Sequence, residues 1–126
     1  MQRTWIAVGA LAGLGAVAMA ALTAHAFGGP DAAARATVRS DVEMQIWHAL
    51  ALLACGLWAP RGGRLADAAG AAFTLGILLF CGGVYAVGVF GLPLGTVAAM
   101  GGSLLMAGWA LLGLSAVRAT RNGHTT

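Results

Sequence analysis

The chain has 126 residues, 60% of them hydrophobic and only 9% charged, with a formal net charge of +3. A soluble domain carries about 25% charged residues, and one this apolar would be covered in exposed patches, so an ordinary water-soluble fold is excluded. The basic excess comes from seven arginines and no lysine; they fall in loops and tails, a pattern that suits lipid headgroups and not nucleic acid, which needs a basic stripe on a folded surface.

A membrane-spanning helix needs about 20 mostly apolar residues, and four segments meet that length in one domain covering residues 1–126. The first is residues 5–26. Its end, Ala24-His25-Ala26, has the form of a leader-cleavage site, but the preceding apolar run is longer than the about 7–15 residues of a leader. The segment is therefore expected to be retained as a helix. Gly9, Gly13, Ala16, Ala20 and Ala24 form a small-residue stripe along it, suited to close helix approach or to pairing of two copies. Gly28 and Gly29 should stop this helix and Pro30 should open a short surface helix over residues 30–40. Asp31, Arg35 and Arg39 fall at i, i+4 and i+8 there and are expected to form a solvated charged face.

The second span is residues 41–59. Its purely apolar part is short, so spanning draws Glu43, Gln45 and His48 into the membrane, where ionisable groups face the interior and find partners. Asp41, Gln45, His48 and Leu52 share one helical face, with Glu43 on another side. The basic turn Pro60-Arg61-Gly62-Gly63-Arg64 leads to the third span, residues 66–92, and the uncharged turn at residues 91–95 leads to the fourth, residues 95–117. The polar tail over residues 118–126, with His124, is expected to be disordered. Gly82, Gly101, Gly102, Gly108 and Trp109 are expected to pack helices, and Trp5 and Trp58 to anchor at an interface or pack. Cys55 and Cys81 read as small packed side chains, with no metal spacing and no disulfide framework.

The fold expected is all-α: an integral membrane bundle of four antiparallel transmembrane helices with short connections. Five arginines (Arg3, Arg61, Arg64, Arg118, Arg121) fall on one side and two (Arg35, Arg39) on the other, which predicts cytoplasmic termini in a bacterial inner membrane. His25, Glu43, Gln45, His48 and Tyr85 then lie at one outer level and could converge. Such a cluster either fixes helix register or binds a small ligand, a proton, a lipid headgroup or a quinone. Two histidines and a carboxylate could hold a metal, but no motif sets their geometry, and no nucleophile–base pair is legible.

The same residues resemble the domain-of-unknown-function 423 family of small membrane proteins, which takes in the bacterial YgdD-type proteins and the animal transmembrane protein 256. "TAHAFG" matches the family's Gly-Ala-His at the end of the first helix and "EMQIWHALA" its Glu-Tyr-Gln-x-x-His-x-Leu-Ala. "FCGGVY" matches its Phe-Ser-Gly-Ser-x-Tyr, and "AAMGGSLLMAGW" its Thr-Pro-x-Gly-Gly…Gly-Trp. Cys81 and Gly83 replace family serines, Met44 a tyrosine, and Ala98 and Ala99 the Thr-Pro. The resemblance covers nearly the whole chain; it implies an integral membrane protein of about four helices and supplies no activity. The expectation is a non-enzymatic accessory or assembly component without a cofactor, in contact with lipid and with a membrane-protein partner or a second copy. The alternative is a binding or transport module built on the polar cluster.

Overall fold

The computed structural model describes residues 1–25 and 32–123. They form three helices: α1 (Gln2–His25), α2 (Ala32–Phe90) and α3 (Gly95–Gly123). All three are long and apolar enough to cross a membrane. The expected bundle of four helices is thereby corrected to three helices. The basic turn lies inside α2: Pro60 to Arg64 is helical except at Gly63 (φ 55°, ψ −144°), where two helical arms meet across a kink. That positive φ is open to glycine at no steric cost. The surface helix expected over residues 30–40 is likewise the start of α2, held down by buried Val38 and Val42.

α2 turns back on itself at Gly63. In a straight helix Gln45 and Tyr85 would stand about 60 Å apart, yet the Tyr85 hydroxyl donates to Gln45 Oε1 at 2.6 Å. The two arms, residues 32–62 and 64–90, therefore run antiparallel. α1 and α3 each pack on α2 and not on each other. α1 runs against the first arm, with Gly9 at Ala49 and Ile6 at Gly56. α3 runs against the second arm, with Gly83 at Ala98, Gly101 at Phe80, Gly76 at Leu105 and Gly108 at Phe73. The chain start, the Gly63 bend and the later part of α3 share one end of the molecule, because Trp5 meets Asp67 and Trp58 meets Ser115.

The core gathers Leu52, Cys55, Phe73, Cys81 and Leu105 around the α2 arms. Both cysteines are free and buried there as small side chains. Trp5 is buried against Gly70, and its indole N–H donates to Asp67 Oδ1 at 2.7 Å. The Trp58 indole donates to the Ser115 hydroxyl at 3.0 Å, which donates on to the Leu112 carbonyl at 2.6 Å. Large apolar side chains face outward, Leu11 and Leu14 among them at 67% and 68% exposure, as a lipid environment favours.

The small residues are used unequally. A Cβ on Gly9 would come to 2.9 Å from the Ala49 carbonyl oxygen, and Ala16 is fully buried, so part of the α1 stripe is used within the chain. Gly13 is looser, since a Cβ there would sit 4.0 Å from Ala49 Cβ. A Cβ on Gly101 would fall on the Phe80 backbone, one on Gly108 would come to 2.7 Å from the Phe73 ring, and one on Gly102 to 3.5 Å from the Phe80 ring. Gly82 is exposed with nothing within 4 Å and packs no helix, contrary to expectation.

α2 ends at Gly91, whose φ of 65° and N–H bond to the Val87 carbonyl at 3.0 Å form a left-handed cap. Pro93 follows, and α3 starts at Gly95. α3 continues to Gly123, so residues 118–123, expected to be disordered, are helical. Residues 26–31, with the expected glycine stop, Pro30 and Asp31, and residues 124–126, with His124, lie outside the described residues.

Candidate functional site

One face of the first arm of α2 carries Asp41, Gln45, His48 and Leu52, at 2%, 7%, 5% and 0% exposure. The spacing i, i+4, i+7, i+11 puts all four on the side that meets α1, the second arm and α3. Glu43 points the other way and is exposed.

Gln45 joins three segments. Its Nε2 donates to the Ala12 carbonyl of α1 at 2.8 Å, and its Oε1 accepts from the Tyr85 hydroxyl at 2.6 Å. Gly15 makes room for the amide, since a Cβ there would come to 3.1 Å from Nε2. Tyr85→Phe is expected to leave Oε1 unsatisfied and to cost about 1 kcal/mol. In a double-mutant cycle with Gln45→Met, measured by thermal unfolding in detergent, the two losses should add to more than the double variant's loss. Simple additivity would show that the bond carries no coupling.

His48 lies one turn further along. Its Nδ1 is 2.7 Å from the Met44 carbonyl oxygen and its Nε2 is 3.2 Å from the Trp109 indole nitrogen. A carbonyl only accepts and an indole N–H only donates. The two bonds together therefore require a neutral imidazole with its hydrogen on Nδ1. The ring is enclosed by Phe73 at 5.7 Å and Trp109 at 6.1 Å between centroids, and those two meet edge-on at 5.3 Å. Both ring nitrogens are thus occupied, and taking up a ligand would require breaking a bond.

Asp41 is different. Both carboxyl oxygens are buried with no hydrogen-bond partner among the described residues. The Cys81 thiol of the facing arm, a weak donor, is turned toward it, with Tyr85 nearby. The residue borders a cavity of about 420 Å³ whose lining includes Thr37, Ser40, Met44, Phe80 and Val84.

Of the five residues expected to converge, two meet: Gln45 bonds to Tyr85. His48 shares the buried face of Gln45 but lies against Phe73 and Trp109. His25 and Glu43 are exposed and make no hydrogen bond or ion pair with a described residue. Asp41 and Trp109 complete the cluster instead. Asp41 had a sequence signal, its place on the buried face. Trp109, half exposed, was expected only as a packing residue, and nothing in its local sequence pointed to His48. Among the described residues no three His, Cys, Asp or Glu side chains converge on a point that could hold a metal.

The family model described as "Protein of unknown function (DUF423)" matches residues 19–102. That stretch holds the later part of α1, all of α2 and the start of α3, and with them Asp41, Gln45, His48 and Tyr85. A UPF0382 membrane protein of Haemophilus influenzae is 31% identical over 111 residues, covering 86% of this chain and 90% of that protein. No solved structure matches.

Proposed function

The chain belongs to the DUF423 family of proteins of unknown function, and from that premise we propose that this membrane protein is a non-enzymatic accessory or assembly component acting through helix–helix contact. The bacterial inner membrane with both termini cytoplasmic is the setting that the arginine distribution supports. The observation that carries the reading is the outer face of α3. Its inner face, Gly101, Leu105 and Gly108, is spent on α2. On the opposite side Ala99, Ser103, Ala107 and Ala110 are all exposed, and the Ser103 hydroxyl donates back to its own helix at the Ala99 carbonyl, 3.2 Å away. In lipid, a face of small residues lets a second transmembrane helix approach closely, and van der Waals packing then drives association.

Cross-linking in native membranes, followed by mild-detergent purification and native mass spectrometry, tests this. The wild-type chain should be recovered with a partner chain or a second copy, and Ala107→Leu should lose it while melting at the wild-type temperature. Recovery of a bare monomer only, from cross-linked membranes, sinks the reading.

A second reading, a binding or transport module for a small ligand, a lipid, a quinone or a proton, is favoured by one observation: the buried Asp41 carboxyl, faced by no stronger donor than the Cys81 thiol. Intramembrane ionisable groups are costly to bury and mark substrate or ion pathways.

A further inference from the structure

A second, larger cavity of about 620 Å³ lies between the end of α1 and the start of α2. Arg35 and Arg39 line it from α2, and Ala20, Thr23, Ala24 and Val42 form much of the rest of its wall. The two arginines are one helical turn apart and so flank the same space. Both are exposed, and neither makes an ion pair or hydrogen bond with a described residue. The Thr23 hydroxyl is turned away from this role, because it donates to the Met19 carbonyl at 2.7 Å. The side-chain donors offered to the cavity are therefore two guanidinium groups.

We propose that this cavity binds the phosphate of a membrane phospholipid, with Arg35 and Arg39 as its clamp. Guanidinium groups match phosphate oxygens in paired, charge-assisted hydrogen bonds. The depth of the cavity suits a headgroup: it sits at the end of α1, a helix apolar enough to span. Val17, about one turn before Ala20 on the same side of α1, is exposed and offers apolar surface to an acyl chain that a free anion would not use.

The full chain in mild detergent, titrated with dioleoyl phosphatidylglycerol and read by native mass spectrometry, tests the assignment. Wild type should hold a lipid adduct, and Arg35→Gln with Arg39→Gln should weaken it about tenfold or more. Arg61→Gln with Arg64→Gln, at the other end of the molecule, should leave it unchanged. Because Arg35 and Arg39 are exposed, the double variant should melt with wild type, which separates lost binding from lost folding. Equal adducts in wild type and the Arg35/Arg39 variant overturn the proposal. Displacement of the lipid by millimolar inorganic phosphate assigns the clamp to a free anion and overturns the lipid as its source.

Discussion

Gly101→Ala is expected to destabilise the folded chain by about 3 kcal/mol, at the upper end of the usual overpacking cost. A Cβ at this position would fall on the Phe80 backbone nitrogen, with Phe80 Cα at 2.7 Å and the Leu79 carbonyl carbon at 2.8 Å. Backbone atoms inside a helix have no rotamer to move to. The only relief is for α3 to retreat from the second arm of α2, which loosens the Gly108–Phe73 and Gly76–Leu105 contacts on the same face. Without a hydrophobic drive between helices in lipid, those close contacts are much of what holds α3 in place. Gly82→Ala provides the contrast. Nothing lies within 4 Å of its Cβ position, and alanine is the better helix former by about 1 kcal/mol, so this variant should be neutral or slightly stabilised. Thermal unfolding of both in detergent, followed by circular dichroism, checks the pair. Equal melting of Gly101→Ala and wild type would mean that the α3–α2 approach is not as close as described.

The two glycines looked alike in the sequence, and the reason they differ shows where sequence reading runs out. Apolar length identified spanning segments, and helical periodicity identified the Asp41, Gln45, His48, Leu52 face and excluded Glu43 from it. Gly91 and Pro93 marked a real helix end. The Pro60–Arg64 segment also read as a connection, but all of it except Gly63 is helical, and that one positive-φ glycine makes the kink that turns α2 back on itself. Axial level was not legible either. His25 was expected beside Gln45 because α2 was expected to begin near Asp41; it begins at Ala32 instead. Gln45 therefore lies deeper and reaches Ala12, which is about 20 Å along α1 from His25. The His48–Trp109 pairing spans 61 residues, and no local pattern encodes such a contact.

Replacing Asp41 is expected to have the opposite sign from most buried substitutions: Asp41→Leu should raise stability by about 2 kcal/mol. Leucine has nearly the branching of aspartate, so the site is asked to accept little new shape. What is removed is a carboxyl at 2% exposure whose two oxygens have no hydrogen-bond partner among the described residues. An unsatisfied buried polar group costs about 1–3 kcal/mol, and exchanging buried charged groups for apolar ones of similar volume is often stabilising. Asp41→Asn should fall between the two, since it keeps polar atoms in the same place. The neighbours sharpen the expectation: Cys81 is a weak donor at best, and the Tyr85 hydroxyl is already committed to Gln45. Thermal unfolding of the three chains in one detergent decides it. A loss of about 2 kcal/mol in Asp41→Leu would show that the carboxyl is held by a partner, and the orphan reading would fail. A gain in stability leaves a residue retained at a cost to the fold, which is the usual mark of a group kept for binding or transfer. In that case Asp41→Leu is the variant in which a ligand-binding or proton-coupled response should disappear while the helices pack better than before.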